Sequence, residues 1–148
     1  MRRFVNRTLL FGGLMGLLVG CGEILGEAGS ISGTVSAPTG GEILGTDVFA
    51  CFANQDGCER LGITVAQTGS TAGYTLSGLP RGSYGVYAFK DVDGDGVPEN
   101  GDAYGHYSTD NKTTLVTPPA TDVDIEMYTL TGATPVLPEV LNELISNP

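Results

Sequence analysis

Residues 73–89 decide the predicted fold, and they read GYTLSGLPRGSYGVYAF. Two runs in which apolar residues alternate with small or polar ones flank a short connection. In that connection Pro80 and Gly82 take the i+1 and i+3 positions that a type I turn favours. Alternation with a period of two predicts a half-buried strand on each side. We therefore expect strand, turn and strand, with five side chains that can face one core: Tyr74, Leu76, Tyr84, Val86 and Ala88.

The same kind of pattern extends in both directions over residues 30–129. Short alternating runs are separated by turn residues, and no long amphipathic helix lies among them. About seven strands with closely spaced turns predict an all-β domain, an antiparallel β-sandwich. Besides the two strands above, the predicted strands cover residues 31–35, 47–53, 62–67, 113–116 and 122–127.

The central stretch also resembles the carboxypeptidase regulatory-like and transthyretin-like group of β-sandwiches, which is classed near the starch-binding and Cna B-type modules. The shared pattern, Tyr-x-Leu-x-x-Leu-Pro-x-Gly-x-Tyr-x-Val, runs here from Tyr74 to Val86. The resemblance covers residues 31–128 and implies a Greek-key sandwich of about seven strands. Its motif consists of core and turn residues, so it implies no active site. Hydroxyisourate hydrolases of this group use more than one histidine, whereas this chain has only His106.

Residues 130–148 form a predicted C-terminal tail with one short helix. Pro138 suits the first turn of a helix, and Glu139 suits the positive end of its dipole. The apolar stripe of this helix could dock on the sandwich, which is the simpler expectation, or bind a partner. Four residues make the stripe: Val140, Leu141, Leu144 and Ile145.

The N-terminus has the layout of a cleaved export signal. Arg2, Arg3 and Arg7 precede an apolar run over residues 9–19. A positive flank followed by a short apolar run is typical of a signal peptide. The run is shorter than the roughly 20 residues that span a bilayer as a helix. We therefore expect residues 1–20 to be a signal peptide and the protein to be exported.

The end of that segment, Leu18-Val19-Gly20-Cys21, resembles the lipobox of bacterial lipoproteins. The resemblance implies that Cys21 carries the lipid and that residues 21–29 tether the domain to the membrane. Several buried acyl chains make a stable anchor. Gly22, where inner-membrane lipoproteins often have aspartate, favours the outer membrane or cell surface of the envelope. The alternatives are a plain signal with an incidental cysteine and an uncleaved anchor.

The charge of the chain narrows the classes of partner. Removal of residues 1–20 leaves four basic and 17 acidic residues, a net charge of about −13. Nucleic-acid binding needs clustered Lys and Arg, so an acidic chain of this kind argues against it. The remaining 128 residues suit one domain. We therefore expect one exported domain that attracts cations.

Cys51 and Cys58 remain as a pair once Cys21 is assigned to lipid. An even pair in an oxidising compartment predicts a disulfide. The intervening residues 52–57 are rich in turn formers, which can bring two strand ends together. Two free thiols or half of a metal site are the alternatives, and His106 as the only imidazole makes zinc a poor fit.

Residues 91–102 read DVDGDGVPENGD, with the oxygen-ligand spacing of a calcium loop. Five carboxylates in twelve residues repel one another unless a cation neutralises them, and hard oxygens suit Ca²⁺. Asp102 replaces the usual bidentate Glu at position 12, as in dockerins. The alternative is a solvated acidic loop. The predicted ligands are Asp91, Asp93, Asp95, the Val97 carbonyl, Glu99 and Asp102.

No nucleophile-and-base set accompanies His106, so we expect a protein that is not an enzyme. The leading hypothesis is a non-catalytic, lipid-anchored, Ca²⁺-stabilised sandwich that binds an envelope partner or has a structural role. One alternative is a small acid/base hydrolase that uses Asp and Glu pairs. Another is a subunit of a surface assembly, with residues 122–126 or the tail as contact. A third is a carbohydrate-binding module that uses tyrosines near the loop: Tyr84, Tyr87, Tyr104 and Tyr107.

Overall fold

A computed structural model describes residues 28–53, 61–109 and 112–132. These residues form two packed β-sheets and confirm the predicted all-β sandwich. No helix occurs in this part of the chain, and it therefore contains no helix that could cross a membrane. The predicted signal peptide, Cys21, Cys58 and the C-terminal helix lie outside the described residues.

Eight strands make up the sandwich, one more than the approximate number predicted. The three-stranded sheet has the order β4-β1-β7, and the five-stranded sheet has the order β3-β2-β5-β6-β8. Neighbouring strands are antiparallel, as predicted, except β1 and β7, which pair in parallel over two residues. The strands are β1 Gly29–Ser36, β2 Asp47–Phe52, β3 Leu61–Thr64, β4 Thr71–Leu79, β5 Tyr84–Lys90, β6 Ala103–His106, β7 Ile125–Glu126 and β8 Tyr128–Thr129.

The central stretch contains β4 and β5, and these strands belong to different sheets. The connection between them is therefore a crossover and not a hairpin turn. The Tyr84 hydroxyl donates a hydrogen bond to the Pro80 carbonyl at 2.8 Å, in the manner of a tyrosine corner. A Cβ at Gly82 would lie 2.0 Å from the ring of Phe52, so a larger residue there would displace that ring. The five predicted core side chains are all buried in the main core.

Three predicted strands differ in extent from the structure, and the one predicted over residues 62–67 extends only to Thr64, as β3. Residues 113–116 form only isolated bridges, Ser108 with Thr113 and Tyr84 with Val116, and not a strand. Residues 122–127 alternate as predicted between buried and exposed, but the chain changes sheets at Met127. In place of one continuous strand, the structure has two short strands, β7 in the three-stranded sheet and β8 in the five-stranded sheet. The short strand β6 was missed by sequence reasoning.

The five-stranded sheet buries apolar side chains on both faces. Val48 and Ala50 of β2 point into the main core between the sheets, whereas Phe49 and Cys51 belong to a second cluster on the other face. This alternation follows from the two-residue period of a strand. The other members of the second cluster are Phe89, Tyr104 and Leu130, with Tyr87 packed against them.

Candidate metal centre

The acidic segment 91–102 connects β5 to its neighbour β6. Lys90 and Ala103 pair in the antiparallel ladder, so the two ends of the loop are fixed side by side. A twelve-residue loop between paired strands has little freedom in where its ends lie. The sheet therefore holds the loop in a closed shape, although its flanks are strands and not the helices of an EF-hand.

The structure brings three of the predicted ligands together. One carboxylate oxygen of each of Asp91, Asp93 and Asp95 lies within 4.8 Å of the other two. Asp91 is half-buried, and Asp93 and Asp95 are exposed to solvent. This group could hold a metal ion.

Backbone amides fold the loop around these aspartates. Asp91 accepts hydrogen bonds from the amides of Gly94 at 2.6 Å and Gly96 at 2.7 Å. Asp93 accepts from the Asp95 amide at 3.3 Å, and Asp95 accepts from the Val97 amide at 2.7 Å. Each carboxylate oxygen has more than one lone pair, so these bonds leave acceptor capacity for a cation.

Three glycines of the loop have positive φ angles, and Gly101, at 106°, is the last of them. Gly94 and Gly96 have φ angles of 81° and 78°, in the left-handed region that disfavours residues with a Cβ. No atom lies within 4 Å of a Cβ built at either position, so backbone conformation and not space makes the requirement. Gly96 is the position-6 glycine that the calcium-loop spacing predicts.

Asp102 closes the loop in a way that sequence reasoning missed. Its side chain is only 2% exposed. Its two oxygens accept hydrogen bonds from the Val92 amide at 2.8 Å and the Glu99 amide at 2.9 Å. Asp102 therefore connects the beginning of the loop to its end and lies outside the group of three aspartates. Spacing alone cannot distinguish this role from ligation, because both place an acid at position 12.

The electrostatics of the loop reflect crowded negative charge. Repulsion from Asp93, and then from Asp95, raises the pKa of Glu99. Burial raises the pKa of Asp91, but hydrogen bonds from Gly96 and Gly94 outweigh it, so the net pKa is lowered. Asp91 is thus held in its anionic form while its neighbours repel Glu99. Metal ligation by Val97, Glu99 and Asp102 stays a prediction.

Cys51 lies at the end of β2 in the second apolar cluster and is 7% exposed. It is a disulfide-bonded cysteine and does not titrate. Because Cys58 lies outside the described residues, its pairing with Cys51 stays a prediction. The lipid attachment at Cys21 lies outside them as well.

The four tyrosines considered for sugar stacking do not form one platform. Tyr84 and Tyr104 are 2% and 1% exposed, so neither presents a ring face to a ligand. Tyr87 and Tyr107 are half-buried. Sequence reasoning could not foresee this, because a tyrosine in a strand has the same local pattern whether it is covered or open.

A polar groove of about 730 Å³ was also missed. It lies where the chain passes from β7 to β8, beside the end of β6. His106 lines it, and burial lowers the pKa of this imidazole. Among the described residues, His106 Nδ1 has no hydrogen-bond partner. Other residues that line the groove are Thr34, Ser36, Asp124, Glu126 and Tyr128.

Comparison with known proteins found no matching family model, no similar curated protein and no similar solved structure.

Proposed function

We propose that this chain is a non-catalytic, lipid-anchored protein of the cell envelope, whose β-sandwich is stabilised by Ca²⁺ in the loop 91–102 and has a binding or structural role. The observation that carries the metal part of the proposal is the convergence of Asp91, Asp93 and Asp95 in a loop whose ends are clamped by the sheet.

The donor set favours Ca²⁺ over softer metals. Ca²⁺ takes about six to eight oxygen ligands in flexible geometry, whereas Zn²⁺ prefers nitrogen and sulfur. The three aspartates supply at least three oxygens. The Val97 carbonyl, Glu99, Asp102 and water are the candidates for the rest.

A lipid on Cys21 would keep the domain close to a membrane. Strand β1 begins at Gly29, eight residues later. Eight residues extend over at most about 26–29 Å. The sandwich would therefore remain near the membrane surface, where its acidic character disfavours direct contact with anionic lipid.

Other acidic side chains support the non-catalytic proposal, because they have structural partners. Asp124 accepts hydrogen bonds from the amide and hydroxyl of Thr34, at 2.8 and 2.7 Å. Glu42 accepts from the amide of Gly69 at 2.7 Å. Carboxylates engaged in this way hold loops and strands together, which is a different task from acid/base work on a substrate.

The metal proposal is tested by thermal melts of residues 22–148 in EDTA and across a calcium series. Calcium tenfold above its dissociation constant stabilises the folded state by about 1.4 kcal/mol, which raises Tm by about 5–10 °C for a domain of this size. We expect Asp93→Ala/Asp95→Ala to lose this rise. The control Asp122→Asn/Glu126→Gln also removes two negative charges, but from exposed positions outside the loop. It should keep the calcium-dependent rise in Tm. An equal rise in all three proteins would exclude the loop as the site.

The anchor is tested separately, in cells. The full chain should label with a fatty acid and partition into the detergent phase, whereas Cys21→Ser should do neither. Unlabelled wild-type protein in the aqueous phase would refute lipidation without affecting the metal proposal.

A second candidate function is glycan binding, and the polar groove favours it. Tyr128 is 50% exposed at the groove wall, so its ring can stack on a sugar face. Hydroxyl and carboxylate groups along the same wall can bind sugar hydroxyls. A glycan array probed with wild type and Tyr128→Ala tests this, and retention on no sugar would eliminate it.

A further inference from the structure

The three-stranded sheet ends at β4, and in the described part of the chain no strand pairs with the outer edge of β4. The amide of Ser32 donates to the carbonyl of Ala120, so the even-numbered residues of β1 direct their backbone groups away from β4. The odd-numbered residues bond to β4, where their partners in the register are Ala72, Tyr74 and Leu76. The alternate residues of β4 direct their backbone groups to the open edge: Thr71, Gly73, Thr75 and Ser77.

These outward groups have no backbone partner among the described residues. Over about 20 Å, four residues offer their N–H and C=O groups in the order of an antiparallel ladder. Exposed edges are commonly protected by charged side chains, by proline or by a bulge. Residues 61–80 contain no charged residue, although the chain has 17 acidic residues, and their one proline, Pro80, follows β4. The edge is therefore open to pairing with another strand.

Apolar side chains of β3 lie partly uncovered beside the same edge. Ile63 pairs with Val48, which points into the main core. Leu61 pairs with Ala50, which does the same, and paired residues point to the same face of a sheet. Val48 and Ala50 are fully buried, whereas Leu61 and Ile63 are 41% and 38% exposed. Strand β4 contacts both β3 and β2 and is the last strand of its sheet on this side, so this sheet ends too early to cover β3.

A strand added to β4 would fit both features. Its backbone would continue the ladder of the three-stranded sheet, and its position would be over β3. Every second side chain of the added strand would then point toward Leu61 and Ile63. The open edge and the exposed apolar pair are independent observations, and they fit the same occupant, an extended segment with apolar residues at alternate positions.

A second copy of β4 cannot be this occupant. In a symmetric pair of chains, β4 of the other copy would lie over β3. Its inward side chains already pack in the core of their own sandwich, since Ala72, Tyr74 and Leu76 are 3%, 4% and 2% exposed. They are therefore not available to cover Leu61 and Ile63.

The connection between β2 and β3 is too short to be the occupant. It must leave β2 and return to its neighbour β3, so a path along the edge of β4 and back needs about 40 Å. The seven residues 54–60 extend over about 25 Å at most. A partner protein is therefore the better source of the strand.

We propose that the open edge of β4 and the exposed side of β3 together bind an extended segment of a partner protein by β-strand addition. The apolar residues of the segment face Leu61 and Ile63. The residues between them are neutral or basic, because 17 acidic residues give this chain a net negative charge. The proposal names a kind of partner for the binding role given above, but it rests on neither calcium nor lipid, so failure of either test leaves it unchanged.

Hydrogen exchange of the free full chain in detergent micelles is the first test. The amides of Gly73 and Thr75, which point to the open edge, should exchange much faster than those of Ala72 and Tyr74, which bond to β1. Slow exchange at Gly73 and Thr75 would overturn the proposal, because another part of the chain or a second copy would then occupy the edge. Dilution separates these two cases, since only pairing between copies weakens.

The binding test uses the peptide Lys-Val-Thr-Val-Lys-Val-Thr-Val-Lys, which has an apolar residue at every second position. It should bind saturably to the full chain and slow exchange at Gly73 and Thr75. In antiparallel pairing the threonine and lysine amides point to β4, and in parallel pairing the valine amides do. Two matched peptides carry N-methyl groups on either the threonines or the valines, and only one of them should lose binding. No saturable binding, or equal binding by the two methylated peptides, would overturn the proposal.

Variants of the protein locate the bound peptide. Thr75→Pro removes one outward N–H and leaves the ladder to β1 complete, so it should weaken binding by about fivefold to tenfold. Ile63→Lys, at an exposed position where folding is not at risk, should weaken binding through the apolar contact. The control Leu115→Lys, at a 56% exposed leucine outside this surface, should bind like wild type. Equal affinity of wild type, Thr75→Pro and Ile63→Lys would overturn the proposal.

Discussion

The crossover from β4 leads into one end of β5, and the loop to β6 leaves the other end. Different interactions stabilise the two connections. In the crossover, Tyr84 packs in the main core and bonds to Pro80, and Gly82 lies under the ring of Phe52. In the loop, carboxylates accept backbone amides, and few apolar groups are buried. The conformation of the crossover therefore depends on packing of buried side chains, whereas that of the loop depends on its charged carboxylates.

This difference implies two kinds of sensitivity within one domain. Loss of packing at the crossover should lower stability at any ionic condition, because burial of apolar surface does not depend on the bound ion. Changes in the loop should act mainly through hydrogen bonding and metal binding. The predictions below test that separation, from the largest expected effect to the smallest.

The largest effect is expected for Tyr84→Ala at the crossover. Removing a ring that is 2% exposed should cost about 3–5 kcal/mol in the free energy of unfolding, since the cavity cannot fully collapse. Tyr84→Phe, which loses only the bond to Pro80, should cost about 1 kcal/mol. Denaturant melts should give the same losses in EDTA and in calcium. A cost that depended on calcium would contradict the separation.

Asp102→Asn should have the largest effect in the loop. The amide side chain has one acceptor oxygen, so the Val92 or Glu99 amide would lose its partner, at a cost of about 1–3 kcal/mol. Asp102 clamps the loop through hydrogen bonds from two backbone amides to its carboxylate, and these bonds need no metal ion. The loss of stability should therefore appear in EDTA. Asp93→Asn should lose the calcium-dependent part of the stability, but in EDTA it should melt no lower than wild type, because it relieves the repulsion on Glu99. Identical behaviour of the two variants in EDTA would show that Asp102 is not a clamp.

Gly96→Ala should have a smaller effect. The φ angle of 78° strains a residue with a Cβ by about 1–2 kcal/mol, and no contact adds to this. Calcium should recover part of the loss if the ion holds the loop in this conformation. The comparison is Gly40→Ala, which has a similar φ of 78° and open space but lies outside the loop. Its loss should be the same with and without calcium.

Glu99→Gln should have the smallest effect on stability. Repulsion from Asp93 and Asp95 raises the pKa of Glu99 in the folded protein, so folding favours its protonated form. Its contribution to stability therefore rises as pH falls through that raised pKa. In EDTA the variant should melt slightly higher than wild type at neutral pH and lose this part of the pH dependence. A lower Tm for the variant in EDTA would mean that repulsion does not act on Glu99.

Much of the fold was predictable because its signals are local. Alternation of apolar residues placed β1, β2, β4 and β5 near their observed positions, since a strand repeats every two residues. The two-residue strand β7 and the short β6 carry too few residues for a period to be recognised. Their pairing is decided by contacts far away in sequence, such as β1 with β7.

The candidate site was predictable in part for the same reason. The spacing of Asp91, Asp93 and Asp95 and the glycine at 96 are local features, and the structure brings the three acids together. The roles of Asp102 and Tyr104 were not predictable. Both depend on burial, which neighbours from other strands create.

The sequence by itself determined which residues alternate, where the chain turns and which twelve residues crowd their carboxylates, because these properties arise within a few peptide units. Only the tertiary structure decided that β4 and β5 lie in different sheets, that β1 accepts β7 in parallel and that Asp102 is sealed from solvent. Those outcomes come from packing two sheets around one core, where distant residues compete for the same space.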